Sequence, residues 1–442
     1  MADAAVMAPV QPEGVTEAIN QGAVEARSAG EPEWLRRRRL EAWEAYQQTP
    51  LPTRKLEEWR YTDVSQLALD QVKLAEPAPD ADVSRALGVL EGKKASIRIV
   101  RVGASVAEIT VSDELRRQGV LVLDLAAAAA EHRELVERHL GTDAVPPTAG
   151  KFAALNGALW SAGVLLYVPE GVRIEEPVRA VHWLDEAGVV VFPRTLIIAG
   201  AHSHVAYVEE FVSPDLDSPS LCCGVAEVFA STGADVQYVA LQRWGRNVRD
   251  VSIRHTVAGR DSNLDTLVVN LGASVARADL AARLEGPGAR SDMLGLYFAD
   301  GEQHFDHNTR QDHIADHANS DLLYKGALYD RSHTIFRGII KVHPGAQRTD
   351  AYQTNRNLLL SPDARAESLP NLEIEADDVR CSHGATVGQL DDEELFYLMS
   401  RGIPREAATR LVVLGFLGEV LDRLPLPDVV AELREAIAEK VV

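Results

Sequence analysis

The sequence predicts a mainly β chain, with a right-handed parallel β-helix core flanked by helical N- and C-terminal regions. Three observations predict it. From Lys151 to Gly388 short alternating strands follow one another without a long amphipathic helix between them, as in VLLYVPE, SHVAYVEEFV and DVQYVALQ. The turns share a loose motif of a Gly or Asp, a small residue, then a strand, as in GAHSHVAYV, GADVQYVAL and GARSDMLGL. Outside this stretch the apolar spacing is helical rather than alternating.

A stacked solenoid needs tight corners that only small side chains fit. Between corners, alternate residues point into the core. Ser332, Ala346 and Ala364 read as such corner residues, but their spacing is loose. A β-sandwich therefore remains the alternative on pattern alone.

In chain order, residues 1–30 are rich in Ala, Glu, Gly and Pro and read as a mobile tail. Residues 31–150 read as a mostly helical N-terminal region. There EPEWLRRRRLEAWEAYQQ places Trp34, Leu35, Leu40, Trp43 and Tyr46 on one helix face. The basic run Arg36–Arg39 reads as that helix's solvated face, with Glu41 and Glu44 in pairing range. Residues 54–67 read as helix buried through Trp59 and Tyr61, and 95–125 as short strands. The β-helix core is assigned to 151–388 and a C-terminal helical region to 389–442. Asp391 is a candidate N-cap there, and Gly402 a stop. The stretch REAATRLVVLGFLGEVLDRL has more apolar residues than one buried stripe needs. Either a partner covers part of it or it caps the end of the solenoid.

Composition bounds the function. The 442 residues are 46% hydrophobic and 25% charged, with a net charge of −21. A surface this acidic repels phosphate backbones and argues against general nucleic-acid binding. Three cysteines make no disulfide framework, which points to a reducing compartment. The N-terminal residues carry no secretory pattern, and no apolar run is long enough to span a membrane. The cytoplasm is the expected location.

Several motifs bear on chemistry. His304, His307, His313 and His317 lie among Asp306, Asp312 and Asp316. On a helix His313 and His317 would share a face and suggest a metal site; on strand and corner they would not converge. His202 and His204 resemble a cupin-type pair without its later ligands. GVLEGKKAS, 88–96, fails the phosphate-loop spacing, so ATP hydrolysis by this chain is not expected. Cys222 and Cys223 read as buried thiols. In RCSHGATVG, 380–388, Cys381 and His383 lie two apart and share one face of a strand. Sulfur and nitrogen ligands suit iron or zinc, but two cannot close a four-coordinate site. The pair is half a metal site, a nucleophile with its base, or inert.

Larger blocks carry a resemblance. NLEIEADDVRCSHGATVGQLDDEELFYLMSRGI (371–403), GIIKVHPGAQRTDAYQTNRNLLLS (338–361) and EEWRYTD (57–63) resemble the SufB/SufD family of SUF iron–sulfur cluster assembly subunits, on its SufD side. The match runs in order from about residue 31 to 425. The resemblance implies a non-enzymatic scaffold with a parallel β-helix. It would pair with a SufB paralogue through the β-helices and dock the SufC ATPase on its C-terminal helices. On that reading Leu395, Phe396, Leu411, Leu414 and Phe416 are docking residues. His383, with Cys381 beside it, is then the cluster-assembly position, a transient metal ligand at the subunit interface. The iron–sulfur cluster is shared and transient, with no tightly bound cofactor. Two rival readings are a homodimeric β-helix interaction module without cluster chemistry and a β-helix carbohydrate-active enzyme.

Overall fold

The fold is taken from a computed structural model that describes residues 15–78 and 80–441. Its strands in chain order are β1 (Lys73–Leu74), β2 (Ile97–Val102), β3 (Ser105–Val111), β4 (Leu121–Asp124), β5 (Val164–Val168), β6 (Val178–Trp183), β7 (Val189–Val191), β8 (Arg194–Ala199), β9 (His204–Val212), β10 (Ser220–Ala230) and β11 (Asp235–Arg243). They continue as β12 (Val248–Ala258), β13 (Asn263–Asn270), β14 (Val275–Leu284), β15 (Arg290–Ala299), β16 (His304–His313), β17 (Asn319–Leu328), β18 (His333–Val342), β19 (Asp350–Leu359), β20 (Arg365–Ile374) and β21 (Arg380–Gln389). The helices are α1 (Gln21–Arg27), α2 (Glu33–Gln48), α3 (Ser84–Leu90), α4 (Asp113–Arg117), α5 (Leu125–Glu131), α6 (Arg133–His139), α7 (Lys151–Leu159), α8 (Asp392–Ser400), α9 (Arg405–Leu421) and α10 (Pro427–Lys440).

From β8 onward, even-numbered strands stack in one sheet and odd-numbered strands in the other, always in parallel. The result is a parallel β-solenoid of about eight turns, as the alternation and corners predict. Ser203, Ala234, Ser262, Ala289, Ala318, Ser332 and Ala364 are all buried, and each directly precedes a strand. The residue before several of them is left-handed, as at His202 (φ 56) and Asp261 (φ 50). A corner that tight leaves no room for a large side chain on its inner side.

The lumen between the sheets holds the main core, including Val236, Leu264, Tyr297, Phe305 and Phe336. Both outer faces of the earlier coils are covered as well. The N-terminal helices and α7 lie over Leu196, Val225, Val251 and Ile253 of the even-numbered sheet. Helices α9 and α10 lie over Val239, Leu267, Leu294 and Leu323 of the odd-numbered sheet. The C-terminal helices thus cover a side of the solenoid and do not cap its end. Ion pairs fix them there: Arg179 holds Glu432 (2.6 and 2.9 Å), and Arg423 holds Asp321 (2.7 Å).

Three other expectations change. The tail expected over 1–30 falls partly outside the described residues, at 1–14. Residues 15–30 are folded, with α1 capped by Asn20 and with Ile19 and Val24 buried. The run Arg36–Arg39 is solvated only in part. Arg39 is 2% exposed, pairs with Glu31 (2.7 and 2.8 Å) and donates to the carbonyls of Ala158 and Trp160. Arg38 donates to the carbonyls of Glu137 and Leu140, so these guanidiniums fasten α2 to its neighbours. The 54–67 stretch forms two short 3-10 turns, Glu57–Trp59 and Val64–Leu67, strapped across the even-numbered sheet. Trp59 stacks on the Arg277 guanidinium at 3.9 Å, and Thr62 bonds Asp306 and His304. The short strands expected over 95–125 are present as β2, β3 and β4: β2 extends the odd-numbered sheet and β4 the even-numbered one.

The two ends of the solenoid differ. At the N-terminal end, β3 and β4 pair antiparallel to β2 and β5 and close the stack. Among the described residues, β20 and β21 at the C-terminal end each pair with a strand on one side only. No helix among the described residues is long and apolar enough to cross a membrane.

Candidate functional site

The open end carries the Cys-x-His pair. Strand β21 pairs residue for residue with β19, placing Cys381 beside Ala351 and His383 beside Gln353. Facing partners in a parallel ladder point the same way. Ala351 and Gln353 are buried, and the Gln353 amide crosses the lumen to donate to the Asn371 carbonyl on β20 (3.3 Å). Cys381 and His383 therefore line the lumen of the last coil. Cys381 is half-buried against Ile340, Val342, Ala346 and Ala351, whereas His383 is exposed.

The geometry narrows the chemistry. Residues two apart on a parallel strand are about 6.6 Å apart along the chain. Thiol and imidazole stand side by side and are not in a hydrogen-bonded dyad. Burial, then the neighbouring Asp350 charge, pushes the Cys381 thiol pKa up. A thiol so held stays protonated at neutral pH and is a poor nucleophile. Among the described residues no three His, Cys, Asp or Glu side chains converge for a metal. Cys381 and His383 together make a two-point platform open to whatever covers this end.

A second surface begins directly after that strand. Asp391 caps α8 by accepting from the backbone N–H groups of Glu393 and Glu394. On α8 and the start of α9, Phe396 (73% exposed), Tyr397 (57%), Met399 (41%) and Leu411 (52%) are open. The other proposed docking residues are placed differently. Leu395 is buried, and Leu414 and Phe416 are half-buried against the cluster on the odd-numbered sheet. Tyr397 and Met399 were missed by sequence reasoning. The unbroken apolar run LFYLM, too dense for one stripe of a single helix turn, was the available signal.

Comparison with known proteins bears on both surfaces. The family model described as "SUF system FeS cluster assembly, SufBD core domain" matches residues 182–416. The model described as "SufBD protein N-terminal region" matches residues 20–180. The chain belongs to the SufBD family. It is 34% identical over 415 residues to iron–sulfur cluster assembly protein SufD of Bacillus subtilis, covering 93% of this chain and 95% of that one. It is 28% identical over 416 residues to SufB of the same organism, covering 91% and 88%. A SufBD family protein of Staphylococcus saprophyticus is 28% identical over 411 residues, covering 90% and 87%. The higher identity to SufD agrees with a SufD-type subunit. The SufBD core match includes both the Cys381–His383 strand and the exposed α8–α9 surface.

Both remaining cysteines of this SufBD chain are buried and most of its other histidines are buried or bonded within the fold, while His202 and His317 are exposed at corners. His304, His307 and His313 are buried on β16, and His317 sits on the following corner (φ 56), so His313 and His317 share no helix face. His304 bonds Thr62 (2.8 Å), His307 bonds Asn270 (3.2 Å) and His313 bonds Ser320 (2.7 Å). Burial lowers all three to pKa values of about 4, so they are neutral. His202 is at a corner, and His204 bonds Asp235 (2.8 Å). Cys222 and Cys223 are buried on opposite faces of β10, one in the lumen and one under α7, with their thiol pKa values raised by burial.

Proposed function

We propose that this SufBD chain is a non-enzymatic scaffold of iron–sulfur cluster assembly, with the cluster as cargo and His383 as a transient ligand to it. The observation that carries the reading is the placement of Cys381 and His383 on the lumen face of an uncapped last coil. Two ligands are insufficient alone, and the open end gives a second chain the place to supply the rest. The partner there is a SufB-type paralogue, joined through the unpaired edge of β21. The exposed Phe396–Tyr397–Met399–Leu411 surface is the docking site of a SufC-type ATPase. The failed phosphate-loop spacing at 88–96 is in keeping with an ATPase on a separate subunit. The cytoplasm is the compartment.

Val387 lies on the lumen mouth and is 45% exposed. Val387→Asp should weaken association with the SufB-type paralogue at least about tenfold, because a charge would be buried without a partner. Isothermal titration of the full-length chains reads this out. Unchanged affinity would remove the open end from the interface.

A further inference from the structure

Directly beneath His383, on the rung one strand deeper, lies Gln353. It is 1% exposed. Its Nε2 donates to the Asn371 carbonyl at 3.3 Å, but among the described residues its Oε1 has no partner. The opposite wall makes room for this amide by having no side chain: a Cβ on Gly338 would fall 2.3 Å from Oε1. A buried amide oxygen without a donor is uncommon and costly. The next lumen-facing amide, Asn355, has its groups engaged by Tyr297, Tyr324 and Asn357. Ser382 and Thr354 point to the outer face. The spare acceptor on the rung below His383 is therefore Gln353.

A ligating imidazole uses one nitrogen for the metal and gives its other N–H to an acceptor, which fixes tautomer and ring orientation. In-register rungs are about 4.8 Å apart, within reach of an imidazole and a carboxamide on the same face. We propose that Gln353 is a positioning residue: its Oε1 accepts the second ring N–H of His383 and sets which nitrogen faces the cluster. This rests on the scaffold reading above and adds to it the residue that aims the ligand.

The test uses the full-length chain, bound to its SufB-type paralogue and labelled with 15N-histidine. Wild type should show His383 in one tautomer. Gln353→Met, similar in shape but with no acceptor, should move the His383 shifts toward the free-imidazole mixture and slow cluster assembly about tenfold. Gln353→Glu keeps an acceptor oxygen at the same place, so it should hold the wild-type tautomer. His383 shifts unchanged in Gln353→Met, or the wild-type tautomer lost in Gln353→Glu, would overturn the proposal and leave Gln353 as lumen packing. Normal cluster assembly in His383→Ala would instead defeat the scaffold reading's ligand, whatever the tautomer result.

Discussion

Gly338 shows how closely single residues are matched across the lumen. Gly338→Ala would place its Cβ against Gln353 Oε1 and at 3.0 Å from the Phe336 ring. The expected loss is about 1–3 kcal/mol, read by urea unfolding against wild type. His313 gives a pH-dependent counterpart. Its folded pKa is lowered to about 4, so the unfolded chain binds its proton first as pH falls. It contributes nothing above pH about 6.5, destabilises progressively down to about pH 4, and is constant below. His313→Gln should therefore flatten part of the fall in melting temperature between pH 6.5 and 4. An identical pH profile would mean that His313 is not held neutral. At this scale much was readable beforehand. The parity of Cys381 and His383 followed from strand period alone. Their facing into the lumen did not, because parity fixes a shared face without saying which one. The bonds made by Arg38 and Arg39 were also hidden, since a basic run looks the same whether it meets water or backbone carbonyls.

Among elements, α8 stands out because two residues separate it from β21, so the proposed docking surface and the candidate ligand belong to one continuous piece of chain. Phe396→Asp with Leu411→Asp should abolish capture of a SufC-type ATPase by the full-length chain without lowering its melting temperature, since both side chains face solvent. Retained capture would place docking elsewhere. Leu417, 1% exposed in the α9 seam, is a contrasting case. Leu417→Ala should cost about 2–5 kcal/mol and speed amide exchange in α9 and α10. The sequence showed that these helices carry excess apolar surface but left their resting place open. The deciding signal was in the strands. SDMLGLYFA and DTLVVNLG are apolar on successive residues, which marks strands buried on both faces. The outer face of the odd-numbered sheet therefore needed a cover, and α9 and α10 supply it.

For the whole molecule, the organising feature is unequal closure. Antiparallel strands finish one end of the solenoid and helices cover both flanks, while among the described residues β20 and β21 are left with free edges. The solenoid itself was legible because its corners demand small residues at every coil. The open end was not, because a strand's apolar alternation reads the same whether or not its edge is paired. The central claim is that this open end holds a cluster ligand. The most direct measurement is cluster assembly by the complete complex carrying His383→Ala, followed by absorbance and iron content. The account predicts loss of assembly with the fold, paralogue binding and ATPase binding intact. Assembly at the wild-type rate in that variant would contradict it.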